Sequence, residues 1–440
     1  MSSKRLVFLT VPGLRRKDLQ KMPNLQMLTS SGCVSTVRHA FPCVTWPSQA
    51  NVLTGKAADS HGVVANGFYW RDECKVEMWT AWNEVIQQPQ IWDLLKDKGL
   101  KSAAWFPMLS KGCGADYVCM PAPIHKPDGS EDLWCYTKPQ EFYGELLEKY
   151  DHFPLKHFWG PLANIKSSKW IANSAVECAR KFKPDFFYIY LPHLDYAAQK
   201  FGPDSEQAIA AVEELDALIG ELVADMNAGL EDPSWMVLSE YVITAVDHVS
   251  YPNRILRNAG LLSVCESDSD PGKEMLDFEH SDAWALVDHQ FSHVFVKDRN
   301  EETIARVVEL FQDTEGIDKV LVGPERGDLD HERSGDVVLV SNANSWQAYY
   351  WWLDDSLAPS FAHTVDIHRK PGYDPIELCF DMATMSVPLD ATLVKGSHGV
   401  PQEPGKEQGV LACSDAALLD GDVLSETQVF ESVIRFFQQA

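Results

Sequence analysis

Positive charge is scarce in this chain: 38 lysines and arginines stand against 64 aspartates and glutamates, a net charge of −26. Such a balance repels nucleic acid polymers and anionic membranes over most of the surface. An anionic substrate then needs a locally positive site, for which a metal ion is the usual means. Paired cysteines are lacking as well. The ten present, at 33, 43, 74, 113, 119, 135, 178, 265, 379 and 413, form no Cys-x-x-Cys motif and no dense framework. That excludes the common structural zinc patterns and fits reduced thiols in a cytosol. Long apolar runs are missing too. The run Leu6 to Val11, just after the start, is too short for a membrane span, and no small-residue cleavage pattern follows it. It reads as the first strand of a cytoplasmic protein with no membrane partner. There is no internal repeat and no low-complexity tract.

What is present is a chain of 440 residues, enough for two or three average domains or one large α/β domain carrying an insertion. Apolar runs ending in polar or glycine-rich loops alternate with helical periodicity, the pattern of a mainly parallel sheet with helices on both faces. Strands are predicted at Leu6 to Val11, Ser102 to Phe106, Phe186 to Leu191 and Trp235 to Leu238. Helices are predicted at Ile91 to Lys98, Lys169 to Lys181, Ser205 to Met226 and Glu301 to Phe311. Residues 107 to 165 are rich in Pro, Gly, Trp and Cys and read as loops over the rim of the sheet. From about Tyr251 to Asp390 the character changes to short strands (His293 to Val296, Asp336 to Val340, Gln347 to Trp352), which suits an inserted α+β lobe.

The segment Phe41 to Gly55 puts one hydroxyl, Thr45, at a strand-to-helix corner, bracketed by Pro42 and Pro47. Two readings are open. Thr45 caps the helix, as Thr commonly does, or it is a nucleophile beside an anion held at the positive end of the helix. In open α/β sheets ligands collect at the carboxyl ends of strands, which directs attention to Pro12 to Arg15, His193 to Gln199 and Ser239 to Tyr241.

Taken in order, these segments resemble the alkaline phosphatase superfamily, in its nucleotide pyrophosphatase/phosphodiesterase and phosphonoacetate hydrolase branch. The motifs carrying the resemblance are Pro12-Gly13-Leu14-Arg15, Phe41 to Pro47, His61-Gly62 with Asn66, Leu191 to Ser205, Ser239-Glu240-Tyr241 and Ser397-His398-Gly399. The resemblance spans residue 5 to about 415. It implies an alkaline-phosphatase-like mainly parallel sheet sandwiched by helices, with residues 1–250 and 391–440 as catalytic core and 251–390 as an inserted cap lobe. It also implies a hydrolase of phosphate esters acting on a small phosphorylated or anionic substrate, with Thr45 as covalent nucleophile and Asn66 helping to hold the phosphoryl oxygens.

The resemblance further implies two divalent metals, usually zinc. One would take Asp195, Gln199 and His398, and the other Pro12, Thr45, Glu240 and Tyr241. Proline cannot ligate, Tyr is a rare ligand and a neutral Gln oxygen binds zinc less tightly than imidazole. The expectation is therefore one ion rather than two, or none, with Glu240 as substitute ligand or as the base that deprotonates Thr45. Two alternatives stay open: a non-catalytic, metal-poor binder, and a phosphoryl or sulfuryl transferase. Cys43 lacks the x-Pro-x-Arg that a sulfatase nucleophile needs.

Other residues have bland and functional readings side by side. His193, two residues before Asp195, would point to the same side on an extended backbone. Asp247-His248 reads as a surface pair, Asp288-His289-Gln290 and His293 as structural, and Lys200 as a solvated lysine. The Trp346 to Trp352 stretch is a core stripe or a stacking surface. Asp366 to Glu377 is a solvated turn with internal ion pairs or a rim loop orienting a ligand.

Overall fold

The computed structural model describes residues 4–126, 131–402 and 406–438. Nine strands form the main sheet: β1 (Leu6–Val11), β2 (Cys33–Arg38), β3 (Ser102–Trp105), β4 (Tyr117–Pro121), β5 (Cys135–Lys138), β6 (Phe186–Tyr190), β7 (Ser234–Ser239), β8 (Gly409–Cys413) and β9 (Val423–Ser425). Their spatial order is β9-β2-β8-β7-β1-β6-β3-β4-β5. The strands β7, β1, β6, β3 and β4 run parallel at its centre, and β8 and β5 are antiparallel to their neighbours. All six residues of β1 are buried, as expected for an unbroken apolar run covered on both faces. Register sets Thr10 beside Tyr190 and Val11 beside Ser239, so β1, β6 and β7 end together. Pro12, His193 and Glu240-Tyr241 therefore open onto one rim.

The helices that matter for that rim are α1 (Thr45–Thr54), α2 (Ile165–Phe182), α3 (His193–Phe201) and α4 (Glu206–Leu230). Ser205 caps α4 through the Ala208 N–H at 3.1 Å. A second, four-stranded antiparallel sheet, Ala283–Asp288, Phe291–Val296, Val337–Ser341 and Ile317–Val322, packs with α5 (Glu301–Phe311), which buries Val307 and Phe311. One apolar core draws on residues between 6 and 238 and between 410 and 437. Another draws on residues between 246 and 394, joined by Tyr69 and Met78. A last helix, α6 (Glu426–Gln438), sits against α1. Among the described residues no helix is long and apolar enough to cross a membrane.

Three expectations need correction. Residues 107–165 are not all loop: β4 and β5 extend the main sheet there, and Phe142–Tyr150 is a helix. The strand expected at Gln347 to Trp352 ends at Gln347, and its aromatic residues continue as irregular backbone. Trp346, Tyr349, Tyr350, Trp351 and Trp352 are each no more than 1% exposed, so this stripe is core. His193 and Asp195 lie on a helix, where residues two apart face different ways. His193 turns to Glu214 of α4, 2.9 Å from its Nε2.

Candidate active site

Thr45 is the first residue of α1, and Val44 is the N-cap. The orphan N–H of Trp46 is taken by Asn66 Oδ1 at 3.1 Å. Asn66 thus does the capping from another segment, and the Thr45 hydroxyl is left for other work. Thr45 Oγ1 lies 3.2 Å from Tyr241 Oη, and Tyr241 Oη lies 3.2 Å from Asp195 Oδ1. On α3, Asp195 and Gln199 are four residues apart and share a face.

The ring of Tyr241 stacks on His398 with centroids 3.6 Å apart and planes within 5°. His398 lies 3.8 Å from His289, which stacks on Tyr373 at 3.6 Å. Four rings thus form a column. Its far end is tied to α3 as well, because the Tyr373 hydroxyl donates to Gln199 Oε1 at 2.6 Å. Nδ1 of His398 is 2.8 Å from the Cys43 carbonyl, and Nδ1 of His289 is 2.6 Å from Asp288 Oδ1. Asp288 in turn accepts from the backbone and side chain of Asn66. The turn between the first two strands of the smaller sheet supplies Asp288 and His289, and Gln290 N–H donates to the His398 carbonyl at 3.0 Å. Gly396 is required two residues earlier, since a Cβ there would lie 2.3 Å from the Ala198 carbonyl oxygen.

Burial governs the charges. It pushes Asp195 and Asp288 up to about 6 and holds His398 and His289 well below their ordinary range, so both imidazoles are neutral at pH 7. Burial, together with the nearby Asp195, raises Tyr241.

Asp288, His289 and Tyr373 belong to this cluster, although Asp288 and His289 read as structural in the sequence. The adjacent Asp-His pair at a strand end was the available signal. Glu240 points elsewhere. Its Oε1 accepts from Gln49 Nε2 at 2.8 Å, Oε2 has no hydrogen-bond partner, and burial pushes its carboxyl up to about 8. Just past the end of β7, the Tyr241 side chain meets Thr45 and that of Glu240 meets Gln49 instead. Asp247 and His248 bond to Asn344 and Ser345, His293 to the Val64 carbonyl, and Lys200 lies over the Phe201 ring. These remain away from the ring column.

A family model described as type I phosphodiesterase / nucleotide pyrophosphatase matches residues 6–374. The chain belongs to that family. A bis(5'-adenosyl)-triphosphatase ENPP4 of Bos taurus is 28% identical over 236 residues, covering 50% of this chain and 43% of that protein. An uncharacterized pyrophosphatase/phosphodiesterase of Schizosaccharomyces pombe is 25% identical over 230 residues, covering 50% and 41%. The chain thus spans less than half the length of these curated relatives. Among solved structures, an inactive form of murine ectonucleotide pyrophosphatase / phosphodiesterase 5 in complex with AMP superposes with a TM-score of 0.63 at 13% identity, covering 99% of this chain and 95% of that one. Phosphonoacetate hydrolase from Sinorhizobium meliloti 1021 with phosphonoformate gives 0.60 at 18% identity, covering 99% and 96%. The fold is the one these structures share.

The two metals implied by the phosphodiesterase resemblance can be tested against the donors. Pro12 offers none, Glu240 is turned to Gln49, and the Tyr241 hydroxyl stands between Thr45 and Asp195. Gln199 Oε1 is already held by Tyr373. What remains is Asp195 Oδ1 with His398 Nε2, 3.8 Å away and without a hydrogen-bond partner. Among the described residues no group of three or more His, Cys, Asp or Glu could hold a metal ion. The residues present do not fit a metal pair.

A buried acid packed against α1 gives a pH prediction. Glu426 of α6 joins α1 through Ser48 Oγ at 2.5 Å and Asn51 Nδ2 at 2.7 Å, and Ser48 also donates to the Glu240 carbonyl. Burial raises Glu426 from 4.5 to about 7. A carboxyl raised on folding contributes stability that is complete below pH 4.5 and lost as pH rises through about 7. Glu426→Gln, which mimics the neutral acid, is expected to match the wild-type Tm at pH 4.5. By pH 8.5 it should exceed it by an amount equivalent to about 3 kcal/mol. Parallel Tm curves from pH 4.5 to 8.5 would contradict this.

Proposed function

We propose that this chain is a phosphoester hydrolase of the phosphodiesterase type, in which Thr45 Oγ1 is the covalent nucleophile. One observation carries the reading: the Thr45 hydroxyl sits at the start of α1 with its capping role taken by Asn66, and it is engaged instead by a phenol that reaches a buried carboxylate. The positive end of α1 favours an anion beside that hydroxyl. Attack forms the Thr45 Oγ–P bond and breaks the bond from phosphorus to the leaving oxygen. Water then cleaves the Oγ–P bond and regenerates Thr45. Asn66 acts by fixing where α1 begins, since its amide bonds Trp46 N–H and Asp288.

The substrate class we infer is a small phosphorylated compound. Support comes from a relative described as a bis(5'-adenosyl)-triphosphatase and from neighbours solved with AMP and phosphonoformate. We likewise read residues 1–250 with 391–440 as the core and 251–390 as a cap lobe, a division the two apolar clusters support. A second reading, a non-catalytic binder of a phosphorylated ligand, is favoured by one specific observation: Pro12 and Tyr241 stand where metal ligands are implied.

Hydrolysis of an aryl phosphodiester by the purified chain separates the two. Turnover proportional to protein and exceeding the buffer rate is expected. Rates equal to buffer at every substrate concentration, with the ligand still bound, would favour the binder.

A further inference from the structure

The Tyr241 hydroxyl lies 3.2 Å from both Thr45 Oγ1 and Asp195 Oδ1. A phenol carries one proton. With Asp195 ionised, that proton must go to the carboxylate, and the phenol oxygen then accepts the Thr45 proton. The three groups therefore form a directed chain from Thr45 through Tyr241 to Asp195. Nothing about the phenol is loose. Tyr241 is 1% exposed, its ring is flat against His398, and its backbone carbonyl accepts from Gly13 N–H at 3.1 Å and from Ser239 Oγ at 2.9 Å. His398 is pinned by the Cys43 carbonyl, and the column behind it ends on Gln199, one turn of α3 from Asp195. Acceptor and column are thus fixed to one helix face.

We propose that Tyr241 takes the place of a metal beside Thr45, relaying the Thr45 proton to Asp195 so that the nucleophile is activated without a metal ion. As Thr45 Oγ bonds to phosphorus, its proton passes to Tyr241 Oη and the phenol proton passes to Asp195 Oδ1. The leaving oxygen departs with the bonding pair and takes a proton from water. When a second water cleaves the Oγ–P bond, Asp195 returns its proton to Tyr241 and Tyr241 returns one to Thr45; one proton of that water stays on the product's new P–OH group and the other neutralises the hydroxide left when the leaving oxygen was protonated. No oxidant, reductant or further reactant is needed. The proposal rests on Thr45 being the nucleophile. It assigns to Tyr241 the activating role expected of Glu240 as a base.

The test uses the full chain and an aryl phosphodiester. Tyr241→Phe keeps the ring stack and removes only the relay oxygen. It is expected to lower kcat by ~10²- to 10⁴-fold, the usual range for a general base, with KM within about threefold. Asp195→Asn is expected to lose a similar factor, and the double variant no more than the worse single, since members of one relay are not additive. Wild-type turnover should survive dialysis against a chelator and be unchanged by added Zn²⁺. Full kcat in Tyr241→Phe, multiplicative losses in the double variant, or a rate abolished by chelator and restored by Zn²⁺ would overturn the relay. A wild type that turns over no better than Thr45→Ala overturns the nucleophile reading itself, a result distinct from an active Tyr241→Phe.

Discussion

Thr45→Ala is expected to reduce turnover of an aryl phosphodiester by at least ~10³-fold, because residual rate enhancement without a nucleophile comes only from binding and electrostatics. The fold should survive the change. Thr45 is the first helical residue of α1 but not its cap, and the Asn66 bond to Trp46 N–H does not involve the lost hydroxyl. The loss should therefore appear in kcat with Tm shifted by only a few degrees. Thr45→Ser keeps the oxygen and should retain most of the rate. An alanine variant that folds and keeps wild-type kcat would remove Thr45 from the chemistry.

Lys370→Met is expected to destabilise the protein by about 3–5 kcal/mol, the cost of breaking a buried ion pair by removing one partner. Lys370 Nζ lies 2.8 Å from Asp374 and 2.6 Å from Glu377, and the three side chains are between 0% and 3% exposed. Burial opposes the lysine charge, yet the two carboxylates hold its pKa above the usual value. This is the segment that reads as a solvated turn or a rim loop. Its ion pairs are internal, as the turn reading has them, but they are buried rather than solvated. Removing the cation leaves two carboxyls without compensation in the same place. The site should feel it too, because Glu377 accepts from Trp159 Nε1 at 2.6 Å and Trp159 packs against Tyr373 at the end of the ring column. Urea denaturation reads the effect as a lower midpoint at unchanged slope. Adding Asp374→Asn and Glu377→Gln to Lys370→Met should recover part of the loss. A Lys370→Met midpoint equal to wild type would show that the trio contributes nothing.

The parts of this architecture that were legible in sequence are those with a local signature. Unbroken apolar runs mark β1, β6 and β7, and α5 falls where its periodicity placed it. Thr45, Asp195 and His398 were legible as an ordered set, and they do converge. Strands β4 and β5 escaped because neither carries a long apolar run: β5 is the edge strand and its burial alternates, and β4 beside it buries only Val118, Cys119 and Met120 in a row. Glu240 and Tyr241 are neighbours at a strand end, and sequence alone could not tell which would face Thr45. The ring column was invisible for another reason. Its members come from positions 241, 289, 373 and 398, and only the docking of the smaller sheet brings them together. Stacking between such distant residues leaves no periodicity to read.

The central claim is that phosphorus bonds to Thr45 during turnover. Rapid acid quenching of the wild type with an aryl phosphodiester, followed by peptide mass spectrometry, tests it directly. A phosphoryl adduct on Thr45 that forms and decays at rates consistent with kcat, and is absent from Thr45→Ala, is the expected result. Sustained turnover with no adduct at Thr45 at any quench time would contradict it.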